Sequence, residues 1–152
     1  MQSDRDEAVS IYQMHLDEVG HAIEQGDFDG YAPHFTQAHE YETAVGNVRI
    51  SSPVALRLLF DTLCGVLERH DLPTLDRVCV GADFIGPTTI LGRHQTRVVR
   101  RDAIVAESFS ARCVLKLRGN RWRLARVHVA EGPSALPAVV VARVLERQSR
   151  SI

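Results

Sequence analysis

The chain has 152 residues, of which 45% are hydrophobic and 24% are charged, a composition typical of globular proteins. This length supports one domain with a substantial core and is too short for two domains that each have one. The formal net charge of -1 gives no electrostatic basis for binding nucleic acid or an anionic membrane surface, so neither partner is expected.

The cysteines and the N-terminal residues predict a cytoplasmic protein. Cys64, Cys79 and Cys113 lack metal-ligand spacing and lie within apolar patterns, which indicates buried free thiols in a reducing compartment. Residues 1–7 are polar and acidic, so no signal peptide is expected, and no apolar run approaches the roughly 18 residues that cross a bilayer. The histidines are scattered without a His-x-x-x-His pair, so neither a metal nor another cofactor is expected.

The first third of the chain begins with helical periodicity. Residues 4–25 carry one broad apolar stripe that ends at Gly26. A short second helix is predicted over residues 27–35, starting at an aspartate cap. Two short strands are predicted next, over residues 39–44 and 47–50.

A serine cap followed by proline, Ser52-Pro53, predicts the start of a second long helix that ends near His70. After Pro73 the apolar pattern changes to period two and predicts a meander of four antiparallel strands. One face of the first strand is Val78, Val80, Ala82 and Phe84. One face of the second is Ile90, Gly92, His94, Thr96 and Val98. A last helix is predicted over residues 138–148.

The final two strands form the clearest feature of the sequence. Gly119-Asn120 between two strand-like runs predicts a two-residue hairpin loop, which sets the register of the pair. The predicted partners are Leu117 with Trp122, Leu115 with Leu124, Cys113 with Arg126, and Ala111 with His128. Arg126 and His128 then lie on an otherwise apolar face opposite small residues, which indicates a cavity.

Together these elements predict an α+β roll, a strongly curved antiparallel sheet wrapped around the N-terminal helices that encloses a cone-shaped pocket. Residues 1–132 are assigned to the roll, and residues 133–152 to a C-terminal helical tail of the same domain. That tail has two alternative positions, over the mouth of the cavity or against a neighbouring subunit.

Three short motifs resemble the nuclear-transport-factor-2-like superfamily, and within it the SnoaL-like branch. They are Gly26-Asp27-Phe28 followed by Phe35-Thr36, the segment over residues 90–96, and Gly119-Asn120-Arg121-Trp122-Arg123-Leu124. The resemblance covers residues 4–130. It implies the roll fold and a pocket, in a superfamily that includes dehydratases, ketosteroid isomerases, polyketide cyclases, epoxide hydrolases, small subunits of ring dioxygenases and uncharacterised bacterial members. Fold alone does not choose among these activities.

The better-understood enzymes of this superfamily place an aspartate or glutamate in the pocket, often paired with histidine. The predicted strands offer no inward aspartate here, because Asp83 falls on the opposite parity to Val80 and Ala82. This departure lowers the expectation that the chain copies an isomerase or a cyclase.

The predicted catalytic group is His128, Arg126 and His94, with His94 expected opposite Phe109. A histidine that titrates near neutrality transfers protons at low cost, and an arginine can hold a carboxylate, enolate or phenolate oxygen. The rest of the predicted pocket wall binds the ligand. It consists of Tyr12, His15, Tyr41, Phe60, Trp122 and Cys113.

A buried Arg126 needs a compensating charge, since an unpaired one costs several kcal/mol. Glu107, Glu131 and Asp61 are the nearest carboxylates by pattern, and an anionic ligand is the alternative. Structural interpretations remain open as well, with the histidines as hydrogen-bonded core residues and Arg126 as a paired structural group.

Two classes of function follow. The first is a small-molecule-binding protein, acting as a cofactor-free lyase or isomerase by proton transfer on a small apolar carbonyl or carboxylate compound. The alternative is a non-catalytic ligand-binding or dimeric assembly module. The outer sheet face is expected to carry a solvated arginine cluster and a homodimer seam. The seam is assigned to Val99, Val114, Val127 and Val129.

Overall fold

A computed structural model of the protein describes residues 2–129 and 136–150, with side chains for residues 3–129 and 136–148. The chain order gives first two helices and a 3₁₀ turn: α1 (Gln2–Gln25), α2 (Phe28–Tyr31) and the turn Ala32–His34. Two strands and a long helix follow: β1 (Phe35–Thr43), β2 (Gly46–Ile50) and α3 (Pro53–Arg69). The meander and the last helix complete it: β3 (Thr74–Phe84), β4 (Thr89–Val99), β5 (Val105–Arg118), β6 (Arg121–Val129) and α4 (Leu136–Arg150).

The strands form a six-stranded sheet in the order β2-β1-β6-β5-β4-β3. The predicted α+β roll is confirmed, with helices packed on one face of this open sheet. The sheet is mixed, however, because β1 pairs with β6 in parallel while the other neighbours are antiparallel. No helix in the described part of the chain is long and apolar enough to span a bilayer.

The local signals behave as their chemistry predicts. The Ser52 hydroxyl accepts a 3.1 Å hydrogen bond from the Ala55 N–H at the start of α3, as serine caps do. Asp27 accepts a bond of the same length from the Gly30 N–H and begins α2. Asn120 adopts a positive φ of 65° after Gly119 at 55°, the conformation that a tight hairpin loop requires.

The register of the β5–β6 hairpin follows the prediction only near its turn. Leu115 pairs with Leu124 as predicted, but Val114 then pairs with Arg126, so Ala125 is an extra residue in β6. A single-residue bulge exchanges the two faces of the strand beyond it. The predicted inward orientation of Arg126 and His128 is therefore wrong.

The same exchange corrects the predicted dimer seam. Val127 and Val129 are buried on the inner face of the sheet. Val99 and Val114 remain on the outer face and are half-buried. The outer sheet face therefore lacks half of the valines assigned to a subunit contact.

A second bulge lies in β3, where Cys79 pairs with His94 and Gly81 pairs with Arg93, leaving Val80 as the extra residue. Val78 and Val80 are 53% and 59% exposed, so their predicted inward orientation is wrong. Ala82, beyond the bulge, is buried as the pattern predicts.

His94 keeps its predicted face although its partner differs. It pairs with Ala111 because two single-residue displacements add. The connection between β4 and β5 is one residue longer than the predicted register implies, and Ala106 is a bulge residue near the start of β5. The displacement from Phe109 to Ala111 is two residues, and an even displacement preserves the face of every side chain.

A close contact between α1 and β4 holds the helix against the sheet. The ring of Tyr12 lies against Gly92, where an added Cβ would clash with the ring atoms Cε2 and Cδ2. Tyr12 itself is fully buried. A glycine is therefore required at this position by space, because any larger residue displaces the ring.

We expect Gly92→Ala to lower the free energy of unfolding by about 1–3 kcal/mol, the usual range for overpacking a core. Urea unfolding followed by circular dichroism measures this change. Gly65→Ala is the matched control, because Gly65 lies in α3 with no close neighbour except the tip of Arg69. It should stabilise the protein by about 0.5–1 kcal/mol through helix propensity. Equal effects of the two variants would contradict the proposed contact.

Candidate functional site

A cavity of about 130 Å³ lies between the inner face of the sheet and the helices α1, α3 and α4. Its wall is mostly apolar, with Ala111 and Cys113 forming part of the floor. The polar side chains that reach it belong to His15, Tyr31, Tyr41, Arg77, His94 and Thr96. None of the lining residues in the described ranges is an aspartate or a glutamate.

Helix α4 covers the cavity in its own subunit. Leu136, Pro137, Val140 and Val141 of its first turns line the space. A carboxylate oxygen of Glu107 in β5 accepts a 3.1 Å hydrogen bond from the Leu136 N–H at the start of the helix. Such a bond satisfies one of the unpaired amides of a helix N-terminus. The structure thus places α4 over the cavity, one of the two positions left open by its sequence.

Arg77 supplies the cation of the cavity. It lies on the inner face of β3, before the Val80 bulge, and its Nη2 donates a 2.7 Å hydrogen bond to the Leu16 carbonyl of α1. Burial lowers the pKa of this guanidinium below its ordinary value, since removal from water disfavours the charged form. An arginine nevertheless keeps its proton at neutral pH.

The backbone around Arg77 is braced by Gln13 of α1. The Gln13 side-chain amide donates to the Arg77 carbonyl at 2.9 Å and accepts from the Cys79 N–H at 2.8 Å. Because β3 is the last strand of the sheet, these groups would otherwise lack a strand partner. Gln13 therefore fixes the segment that directs Arg77 inward.

Arg77 and Thr96 are direct cross-strand partners on β3 and β4, so their side chains are neighbours on one face. The Nε of Arg77 and the Oγ1 of Thr96 are both buried without a hydrogen-bond partner among the described residues. Buried polar atoms are normally satisfied, so two such atoms on adjacent residues require an explanation.

His94 is held by Tyr12. The Tyr12 hydroxyl lies 2.7 Å from Nδ1 of His94, and the ring is 4% exposed. Burial, followed by the charge of Arg77, lowers the pKa of His94 to about 3, whereas burial raises the pKa of Tyr12 well above its ordinary value. At neutral pH the phenol therefore keeps its proton and donates a hydrogen bond to Nδ1 of the neutral imidazole.

His15 lines the cavity from α1. Its Nε2 lies 2.9 Å from the His34 carbonyl, and its ring contacts those of His34 and Phe35 edge-on. Burial lowers its pKa to about 4. His15 is therefore a neutral, hydrogen-bonded wall residue at neutral pH.

The predicted catalytic residues are separated by the fold. His94 lies in the cavity wall, but Arg126 and His128 lie outside on the opposite face of the sheet, with side chains 56% and 49% exposed. Arg126 contacts Glu40 and Glu42 of β1 at 3.4 Å, and His128 contacts Glu42 at 3.3 Å. The contacts of Arg126 are exposed ion pairs, which contribute little to stability, and the contact of His128 is a hydrogen bond at the same surface.

The predicted ligand-binding residues also divide. His15, Tyr41 and Cys113 line the cavity, and Tyr12 reaches it through its bond to His94. Phe60 packs against Phe28 and Tyr31 in the adjacent core. Trp122 packs on Phe84 at the far end of the sheet, where it lines a separate surface groove.

The carboxylates predicted to compensate a buried arginine have other partners. Glu107 binds the start of α4, and Asp61 pairs with Arg57 on the surface of α3. Glu131 lies outside the described residues. Arg77, rather than Arg126, is the arginine that reaches the cavity. Its Nε is buried, although the residue as a whole, on an edge strand, is half-buried.

An uninterrupted alternation in β3, with Val78, Val80, Ala82 and Phe84 on the inner face, predicts Arg77 on the outer face. One signal pointed the other way. Leu75 and Cys79, two residues to either side, are apolar and share the parity of Arg77, while the exposed Val78 and Val80 share the other. A bulge before Gly81 reconciles the two apolar sets, and glycine often marks such bulges.

No protein-family model matches the chain, and no curated protein matches it significantly. Solved structures do match. A protein of unknown function from Mycobacterium tuberculosis is 18% identical with a TM-score of 0.63, covering 93% of this chain and 89% of its own. An NTF2-like protein with a cystatin-like fold from Novosphingobium aromaticivorans is 17% identical with a TM-score of 0.63, and the match covers 90% of this chain and 88% of that one.

The chain has the NTF2-like fold. A further neighbour in shape is a protein from Catenulispora acidiphila solved in complex with S-DNPA. It is 21% identical with a TM-score of 0.60, and the match covers 80% of this chain and 90% of that one. The NTF2-like fold predicted from the sequence motifs is confirmed. Identities at this level establish the fold and carry no activity with it.

The buried histidines make stability depend on pH. Their pKa values in the folded state, about 3 for His94 and about 4 for His15, lie below about 6.5 for the unfolded chain. Between these values the unfolded state binds more protons, so stability falls as pH decreases. We expect each histidine to lower the free energy of unfolding by about 2 kcal/mol when the pH falls from 7 to 5.

Urea unfolding of His94→Gln and His15→Gln at both pH values tests this linkage, because each variant should lose its share of the difference. His21→Gln, an exposed residue on the same helix as His15, is the control and should retain the full difference. An unchanged pH dependence in both cavity variants would contradict the neutral state of these imidazoles.

Proposed function

We propose that the protein binds a small, largely apolar molecule in the cavity beneath α4. The observation that carries this proposal is the cavity itself, about 130 Å³ in the centre of the domain with a mostly apolar wall. Protein interiors are otherwise close-packed, with few voids larger than a water molecule. An engineered apolar cavity of about 150 Å³ in another protein binds benzene, so a single ring sets the scale of the ligand.

The polar groups of the wall support the same proposal. Ligand pockets are typically apolar with a few placed polar groups that orient the ligand, and here these groups are Arg77, Thr96 and His94. The neighbour from Catenulispora acidiphila, which holds S-DNPA in the same fold, is consistent with a ligand-binding role. Binding without chemistry is the function that the geometry supports best.

A proton-transfer enzyme is the second candidate, favoured by the 2.7 Å contact between the Tyr12 hydroxyl and Nδ1 of His94. Two observations place it behind binding. A pKa of about 3 makes His94 a weak base, since a general base works best near the ambient pH. The described wall also lacks the carboxylate that would take its place.

Ligand binding can be tested with a cavity-filling variant. We expect ligands found by screening single-ring compounds against the native protein to raise its melting temperature, by mass action on the folded state. Ala111→Leu extends a side chain into the cavity from its floor, so it should abolish this stabilisation while the fold is retained. Thermal unfolding with and without each compound measures both effects.

Ala106→Leu is the matched control, because it makes the same change in the same strand at an exposed position. It should leave the stabilisation intact, as should the outer-face variants Arg126→Ala and His128→Ala. Loss of stabilisation in these controls, or its survival in Ala111→Leu, would place the ligand elsewhere. The proton-transfer hypothesis would be favoured if the native protein converted a bound compound and His94→Gln bound the same compound without converting it.

A further inference from the structure

The cavity wall contains two hydrogen-bond donors that meet no acceptor in the part of the chain that the structure describes. Arg77 and Thr96 are paired across β3 and β4, and both line the cavity. The Nε of Arg77 and the Oγ1 of Thr96 are each buried without a partner within the described ranges. The N–H of a guanidinium can only donate, and a threonine hydroxyl is free to donate as well.

The positive charge of Arg77 favours a negatively charged partner at this position. Arg77 is cationic, its Nη2 bonds a neutral carbonyl, and none of the described wall residues is acidic. Next to it, the low pKa of His94 keeps that ring neutral at pH 7. A buried cation without a counter-charge is strongly unfavourable, so the position is suited to an anion.

We propose that Arg77 and Thr96 form an anion-binding site that holds the carboxylate of a small apolar acid, with its hydrocarbon part in the remaining cavity. Nε of Arg77 and Oγ1 of Thr96 donate to the carboxylate oxygens. The bond from Nη2 to the Leu16 carbonyl and the brace from Gln13 hold the guanidinium in place before the ligand arrives. Such preorganisation reduces the cost of binding.

This inference rests on the proposed ligand-binding function and specifies the class of ligand. It separates an aromatic or aliphatic carboxylate from a neutral molecule of the same shape. A planar carboxylate suits the site, because it accepts several hydrogen bonds at once and its charge strengthens each of them.

Benzoate and benzamide provide the test, since both carry one ring and a planar three-atom group, and only benzoate is charged at pH 7.5. Titration calorimetry on the full chain should give benzoate an affinity about tenfold or more above that of benzamide, as a charge-assisted bond implies. Arg77→Met should reduce the ratio to about one, and Arg77→Lys should keep part of it.

Thr96→Val is the second variant, because it is nearly isosteric and should fold even if Arg77→Met does not. It should weaken benzoate about threefold to tenfold and leave benzamide unchanged. Thr89→Val is its control, at the other end of β4 and outside the cavity, and should affect neither compound. Glu131→Gln should also leave the affinity for benzoate unchanged.

Several results would overturn the inference. Equal affinities in the native protein, a preference for benzoate that survives in both Arg77→Met and Thr96→Val, or tighter benzoate binding in Glu131→Gln would each do so. The last result would show that the chain's own carboxylate neutralises Arg77. If neither probe binds but neutral compounds from the screen do, the anion site is wrong and the proposed ligand binding stands. If no compound binds, both are wrong.

Discussion

Burial of the Arg77 guanidinium is the constraint on which the site depends. A cation taken out of water loses solvation worth several kcal/mol, and the fold retains it only if other contacts hold it in place. Here α1 contributes one carbonyl, that of Leu16, and the Gln13 amide fixes the strand on either side. These contacts anchor the arginine without neutralising it, so its charge remains directed at the cavity.

The long-range order of the domain could be predicted from its sequence, whereas the identity of the buried arginine could not. Helix caps such as Ser52 and the loop Gly119-Asn120 act through neighbouring atoms, so their patterns survive in the structure. The face of the sheet on which a side chain lies is harder to predict, because one extra residue in a strand moves every side chain beyond it to the opposite face. The bulges at Val80 and Ala125 bring Arg77 inside and turn Arg126 outside, so a pocket arginine was predicted at the wrong position.

The position of His94 in the cavity wall could be predicted in spite of the bulges. Its strand, β4, has no bulge of its own between Thr89 and Val98, and its predicted partner was wrong by an even number of residues. The Tyr12 contact could also be anticipated from α1, whose apolar stripe carries Tyr12 toward the sheet. Gly92 completes it, since only a residue without a side chain lets the ring reach His94.

The electrostatics of the cavity wall bear on the choice between binding and catalysis. His94 is neutral first because it is buried and then because Arg77 lies near it. An anion bound to Arg77 would cancel the second effect and raise the pKa of the imidazole, since a nearby negative charge favours the protonated ring. The same carboxylate that the cavity is suited to hold would therefore make His94 more basic. In this arrangement a ligand-binding protein and a weak proton-transfer enzyme differ by the position of the ligand relative to one imidazole, and the binding step comes first in both.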